Sequence, residues 1–338
     1  MSIDRQRYKA IKKKKRRRRV AMWILTPMLV LILGATSYGA FLYNKAHSVM
    51  NDSYQPVERD TAKAVEKVDP EVENTSVLFI GVDDSDARDY NSGARSDALM
   101  LATFNEKAKS VKLVSIPRDA YVYIPEIGRE DKITHAHAYG GPAATIETVE
   151  ELFDIPVDYY VKMNFNAFID VVDALGGIEV EVPYDMKEMD SEDRKNAIQL
   201  EEGLQELNGE EALALARTRK KDSDIERGKR QQEILKAIIN KSISVSGVTK
   251  YADVIEAVGD NMATDLSFNN MKSFFDYAAA GTSLQIESLT LKGENSYIDG
   301  VYYYQLDDDE MNLTKHILKS HLGTMTTSES SVEEDSNS

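Results

Sequence analysis

Between Val20 and Asn44 the chain runs for 25 residues without a charge, through WILTPMLVLILGATSYGAF. This run limits what the chain can fold into more than any other feature. As a helix it is roughly 37 Å long at about 1.5 Å per residue, enough for one bilayer crossing. Pro27 lies near its start, where a helix in lipid tolerates it best, and Trp23 at one end with Tyr38 and Tyr43 at the other suit the two membrane interfaces. A cleaved signal peptide would have an apolar core of only about 7–15 residues, and no clear small-x-small cleavage site follows. Residues 20–44 are therefore expected to form an uncleaved transmembrane anchor.

Ahead of the anchor, residues 1–19 carry eleven basic residues, Arg5, Arg7, Lys9, Lys12 to Lys15 and Arg16 to Arg19, against one acid, Asp4. Positive-inside logic leaves this head in the cytoplasm, against anionic lipid of the cell membrane, and puts everything after Asn44 outside. The whole chain has 41 basic and 57 acidic residues and a net charge of −16; beyond residue 19 the balance is 30 to 56, or −26. So acidic a surface repels phosphate backbones, so no nucleic acid is expected as a partner. A membrane-bound transcription regulator would need the head alone to bind DNA, and the head lacks a foldable helical pair. Cysteine is absent, which excludes disulfides, thiolate metal sites and cysteine nucleophiles.

Residues 45–74 are polar with little sustained periodicity and read as an extracytoplasmic stalk. Residues 323–338, ending TMTTSESSVEEDSNS, have nothing to bury and read as a disordered acidic, Ser-rich tail. Between them, 75–322 suits one α/β domain. VLFIGV (77–82), ALMLATF (98–104), VKLVSI (111–116) and YVYI (121–124) read as strands, mostly as apolar runs of the kind buried on both faces. Helical patterns at 141–153, 164–175, 208–216 and 225–243 alternate with strands at 157–163 and 178–182. Helices near 248–262 and 267–280, a strand at 283–291 and a helix near 307–321 follow. Such alternation argues for a central sheet covered on both sides.

The polar residues that matter sit where strands end. Asp83 follows VLFIGV and Asp97 precedes ALMLATF; brought together, the two could hold a hard cation, although Asp84, Ser85 and Asp86 fit a plain turn equally well. Arg95, Arg118, Arg217 and Arg219 recur beside similar elements. Residues two apart point the same way only from an extended segment, so Arg217 and Arg219 converge only if the helix NGEEALALA has ended, and a β-like exit is expected there. Asp224, Arg227 and Gln231 share one face of the next helix. Convergent guanidinium groups suit a pyrophosphate, whereas isolated ones are ordinary solvated charges. Lys132 and His135 in KITHAHAYGG raise a metal or general-base role; with His47, His316 and His321 remote in sequence, His135 reads as a positioning or structural residue. No G-x-S-x-G, P-loop, H-E-x-x-H or G-x-G-x-x-G motif is present.

Taken in order, LFIGVDDS (78–85), RSDALML (95–101), SIPRD (115–119), KITHAHAYGG (132–141), VDYYVKMNFNAFIDVVDALGGIEVEVPYD (157–185), LNGEEALALARTR (207–219) and DIERGKRQQ (224–232) resemble the LytR-CpsA-Psr family of envelope proteins. The resemblance implies an α/β/α layered domain with a central mixed sheet and a hydrophobic tunnel for a polyprenyl chain. It also implies transfer of a phospho-linked glycopolymer, such as wall teichoic acid or capsular polysaccharide, from polyprenyl pyrophosphate to peptidoglycan, and a Gram-positive source. It places Mg²⁺, or Mn²⁺ in its stead, on Asp83 and Asp97. Pyrophosphate falls to Arg95, Arg118, Lys132, Arg217, Arg219, Arg227 and Gln231, and the chemistry to Arg118, Arg217, Arg219 and Asp224. The insert DSDARDYNSGA after Asp83 and the short KKDS after Arg219 depart from the family pattern at the mouth of the site. A polyprenyl-pyrophosphate (pyro)phosphatase using the same site with water, and a non-catalytic envelope scaffold, are the alternatives.

Overall fold

The computed structural model describes residues 73–82, 95–221, 223–244, 261–267 and 284–325 continuously, with shorter stretches within 28–70 and 269–274. The basic head, residues 20–27 and 29–32 of the expected anchor, Asp83 with the insert after it, most of the helices expected near 248–262 and 267–280, and the tail beyond 325 lie outside the described residues. The chain divides into two units, Met1–Ser48 and Val49–Ser338. In the first, residues 36–45 are helical; among the described residues no helix is long and apolar enough to cross a membrane.

In the second unit the elements run β1 (Thr75–Val82), β2 (Ser96–Asn105), β3 (Ser110–Ile116), β4 (Tyr121–Ile124), β5 (Arg129–Lys132), α1 (Thr134–Phe153), β6 (Tyr159–Met163), α2 (Phe165–Ala174), β7 (Ile178–Val182), β8 (Met186–Glu188), β9 (Ile198–Leu200) and β10 (Gly203–Leu207). There follow α3 (Gly209–Arg217), α4 (Asp224–Ser244), β11 (Met262–Thr264), β12 (Gln285–Thr290), β13 (Gly293–Ile298), β14 (Val301–Leu306) and α5 (Asp308–Leu322). Six strands form a sheet in the order β11-β6-β1-β2-β3-β12. It is mixed: β1 is antiparallel to β2 and parallel to β6, and β3 is antiparallel to β2 and parallel to β12.

The period of two along β1 sorts its side chains onto two different faces. Leu78, Ile80 and Val82 are fully buried with Ile146, Val149 and Phe153 of α1 and Met311, Leu318 and Leu322 of α5. Each such apolar side chain contributes about 1.5–3 kcal/mol relative to exposure. On the other face Phe79 is only half-buried; it packs with Met100, Ala102, Val111, Leu113 and Leu235 of α4. That incomplete burial is where the site lies. A second core joins α2, β7, α3 and α4 through Val172, Ile178, Val180, Leu207, Leu215 and Ile234.

Local signals set the helix starts. The Asn164 side chain accepts from Ala167 N–H to cap α2, and Asn208 forms a capping box with Glu211 at α3. α1 is longer than the expected 141–153: a first segment opens at Thr134, the chain breaks at Gly140 and Gly141, where Gly141 has φ 64°, and Pro142 starts the second segment. The hairpin β13–β14 and the short strands β5, β8, β9, β10 and β11 were not expected either; β11 begins at Met262, where a helix near 248–262 was expected to end.

Candidate functional site

Gly81 pairs with Ala98 and Val82 with Ser96, so Asp97 is the extra residue of a β-bulge at the end of the sheet. A bulge re-aims a side chain and ends strand pairing. Arg118 stands two residues beyond the end of β3, and its Nη1 donates to Asp97 Oδ1 at 2.8 Å. The backbone N–H of Arg118 donates to Asp224 Oδ2 at 3.2 Å. Asp224 opens α4, and its Oδ1 lies 2.7 Å from Arg227 Nη1, one turn along. Arg227 Nη2 in turn reaches the Asp97 carbonyl at 3.5 Å. Ends of three elements thus gather Asp97, Arg118, Asp224 and Arg227 into one cluster.

The remaining arginines enter from α3. That helix stops at Arg217, and Thr218 is extended with φ −57° and ψ 140°. Arg217 and Arg219, flanking one extended residue, line the same cavity. The exit is held by side chains that satisfy the helix's last carbonyls. Arg230 donates from Nη2 to Thr218 O at 2.7 Å and from Nε to Leu215 O at 3.2 Å; Gln231 Nε2 donates to Ala216 O at 3.2 Å. The buried Thr218 hydroxyl donates to Glu188 Oε1 at 2.6 Å. The Arg217 guanidinium lies 4.5 Å over the Phe165 ring, and its Nη2 is 3.8 Å from Asp193 Oδ1.

Asp97, Arg118, Arg217, Arg219, Arg227 and Gln231 form the polar end of a cavity of about 520 Å³. Its other walls are apolar: Phe79 and Met100 from the sheet, Met163, Phe165, Phe168 and Val171 around α2, Leu213 from α3, and Ile234, Leu235 and Ile238 from α4. Arg227 is 4% exposed, and burial, reinforced by Arg219 and Arg118 and opposed by Asp224, pulls its guanidinium down to about 10. Burial, then Arg118, lowers Arg219 in the same way. Arg217 Nη1 and Arg227 Nε are buried without a hydrogen-bond partner among the described residues. Crowded, desolvated cations with unused donors are relieved by an anion bound between them.

Two of the expected pyrophosphate residues do not line the cavity. Arg95 is exposed just before β2. Lys132 Nζ donates to Asp119 Oδ1 at 2.7 Å rather than lining the cavity. His135 Nδ1 is 3.1 Å from Asp131 Oδ1; burial pushes the Asp131 carboxyl up, but hydrogen bonds from Lys132 N–H, His135 and Tyr139 hold it below the usual range. Among the described residues no three His, Cys, Asp or Glu side chains group around a point where a metal ion could sit. Asp97, part-exposed at the polar end of the cavity, still fits Mg²⁺, which commonly takes one or two protein carboxylates and completes its shell with phosphate oxygens and water.

The resemblance implied a hydrophobic tunnel, but sequence reasoning named none of the apolar residues that line the cavity and missed the brace of Glu188, Thr218 and Arg230. The walls come from ordinary apolar runs of strands and helices, which look the same whether they face a core or a cavity. The brace has no sequence signal, since Glu188 and Thr218 meet across thirty positions.

An α/β/α domain with an apolar cavity closed at one end by convergent guanidinium groups defines a receptor for an amphiphile with an anionic head. The chain belongs to the LytR_cpsA_psr family, whose model matches residues 40–320. It is 41% identical over 322 residues, 92% of this chain and 98% of the relative, to the polyisoprenyl-teichoic acid–peptidoglycan teichoic acid transferase TagT of Bacillus subtilis (strain 168). Among solved structures it is similar to TagT bound to LI-WTA, with a TM-score of 0.67 and 42% identity over 79% of this chain and 97% of that one. It is also similar to TagT with bound octaprenyl pyrophosphate lipid, with a TM-score of 0.63 and 40% identity over the same shares of the two chains.

Proposed function

We propose that the protein is a membrane-anchored phosphotransferase that moves a phospho-linked glycopolymer, a wall teichoic acid, from polyprenyl pyrophosphate to peptidoglycan. One observation carries the reading: buried guanidinium groups with unused donors close one end of an apolar cavity. The relatives' teichoic acid transferase names and the octaprenyl pyrophosphate bound by TagT support the same substrate class. The polyprenyl chain lies among Phe79, Phe168, Leu213 and Ile238, and the pyrophosphate between Arg118, Arg217, Arg219 and Arg227. Residues 20–44 anchor the protein and leave the domain outside the cell, within reach of peptidoglycan.

A hydroxyl of the acceptor sugar attacks the phosphorus attached to the glycopolymer. The bond from that phosphorus to the bridging oxygen breaks, and polyprenyl phosphate leaves. Phosphoryl transfer asks the protein chiefly for position and charge neutralisation, which the guanidinium groups supply. Asp97, together with Asp83, would hold Mg²⁺, which when bound adds charge neutralisation at the pyrophosphate. Asp224 positions Arg118 and Arg227, and it is the carboxylate of the cluster left to take the hydroxyl proton. A non-catalytic scaffold has no need of buried, unpartnered guanidinium donors.

The test supplies the full-length protein in nanodiscs with a synthetic polyprenyl-pyrophosphate glycan, peptidoglycan fragments and Mg²⁺. Coupled product and polyprenyl phosphate are expected only when acceptor is present. Release of polyprenyl phosphate with water alone would move the assignment to a hydrolase.

A further inference from the structure

Strands β4 and β14, far apart in sequence, lie side by side: Tyr304 N–H donates to Asp119 O at 2.8 Å, and Ala120 bridges to Tyr304. The hairpins β4–β5 and β13–β14 thereby bring tyrosines from two segments together around Lys132. Tyr121 and Tyr303 meet edge to face with centroids 4.8 Å apart, and Tyr297 and Tyr302 do so at 5.6 Å. Lys132, the cross-strand partner of Tyr121, holds its Nζ 5.7 Å and 5.6 Å from the centroids of Tyr302 and Tyr303. Tyr297 is 73% exposed and Tyr123 47%. One exposed tyrosine needs no explanation; two ring pairs linked through Lys132, each ring with an apolar face and a polar rim, mark a binding surface.

Two further observations say what it binds. In residues 119–132 and 293–306, which build the surface, Asp131 is buried and Asp119 is paired with Lys132 and Arg118, so the exposed charges are one basic side chain, Arg129, against four acidic ones, Glu126, Glu130, Glu294 and Asp299. A polyphosphate chain is repelled by such a balance, whereas an uncharged chain of pyranose rings is not. The surface is also continuous with the anion site: Lys132 donates to Asp119 Oδ1, and Asp119 Oδ2 lies 3.6 Å from Arg118 Nε.

We propose that this tyrosine strip binds the glycan strand of the acceptor. Amino-sugar rings stack their C–H faces on the tyrosine rings, and the phenol hydroxyls exchange hydrogen bonds with sugar hydroxyl and acetamide groups. The Arg118 end of the strip delivers the attacking hydroxyl to the bound pyrophosphate. That role rests on the transferase reading; the binding itself does not.

The test titrates full-length protein in nanodiscs with a tetramer of N-acetylglucosamine and, separately, with a glycerol-phosphate oligomer. Wild type should bind the tetramer, and Tyr297→Ala and Tyr303→Ala should each weaken it by about fivefold, the loss of one ring contact. Tyr297→Phe should keep most of the affinity. In turnover the Ala variants should raise the KM for acceptor and leave the KM for the lipid donor unchanged. A wild type that ignores the tetramer, Ala variants that bind it equally well, or glycerol-phosphate binding lost in those variants would each overturn the proposal. Absence of turnover in wild type, with tetramer binding still dependent on the tyrosines, would reject the transferase reading and leave the strip standing.

Discussion

Thr218 is where the fold is translated into the chemistry, and Thr218→Val tests it with almost no change of shape. Thr218 is 2% exposed, and its hydroxyl donates to Glu188 Oε1 at 2.6 Å. Valine removes that donor and leaves a carboxylate, itself 8% exposed, with Lys220 Nζ at 3.2 Å as its remaining charged neighbour. A buried hydrogen bond to a charged group is worth about 1.5–3 kcal/mol, and a buried acceptor left without its donor costs about as much. The expected loss is therefore about 2 kcal/mol, a fall in Tm of roughly 4–8 °C in a domain of this size. Valine favours the extended backbone, so the chain should still leave α3 at Arg217, but without the anchor that fixes Arg217 and Arg219 about Thr218. A displacement of about 1 Å at such a site can cost 10²-fold in rate, so kcat should drop by about 10- to 100-fold with a small change in donor KM. Urea denaturation and steady-state transfer measure the two effects, and Thr218→Ser should recover both. Stability and kcat both at wild-type values in Thr218→Val would refute the brace.

Arg118→Lys, Arg217→Lys and Arg219→Lys keep charge but lose the planar fork, and each should lower kcat by about 10²-fold, read as coupled product per unit time; near-silent exchanges would point to a scaffold. Asp97→Ala should abolish Mg²⁺-dependent turnover while costing less than about 1 kcal/mol of stability, because its ion pair with Arg118 is part-exposed; full activity in excess chelator would remove the metal. His321, held between the hydroxyls of Thr103 and Ser110 at 2.8 and 2.9 Å, is pulled by burial down to about 4 from an ordinary 6.5. The unfolded chain therefore takes up a proton between those values that the native state refuses, and stability should fall by about 3 kcal/mol as pH drops from 6.5 to 4. His321→Gln should flatten that slope in urea titrations, and an unchanged slope would place the acid sensitivity elsewhere.

Much of the fold was legible because one pattern served both the sequence and the sheet. The apolar runs at 77–82, 98–104 and 111–116 became β1, β2 and β3, and the helical patterns at 164–175 and 208–216 became α2 and α3. The strand order was not legible, since it depends on which edges pair across the chain. The hairpin β13–β14 did carry a signal, Asp299-Gly300, whose φ of 50° and 80° suit a tight hairpin turn. Its strands, GENSYI and VYYYQL, are exposed enough that no buried alternation advertised them. At the site, the requirement that α3 end at Arg217 followed from the two-residue spacing of the arginines. The bulge at Asp97 and the position of Lys132 over tyrosine rings depend on contacts between remote segments, which spacing does not encode.

The mechanism depends on which phosphorus moves, and two isotopically labelled donors decide it. One polyprenyl-pyrophosphate glycan carries ³²P in the phosphorus next to the glycopolymer and the other in the phosphorus next to the lipid; each is turned over by wild type with peptidoglycan fragments and Mg²⁺. The glycan-side label should appear in the new phosphodiester on peptidoglycan and the lipid-side label in polyprenyl phosphate. Glycan-side label recovered in a free phosphorylated glycan despite excess acceptor, or retained on the lipid, would contradict the mechanism.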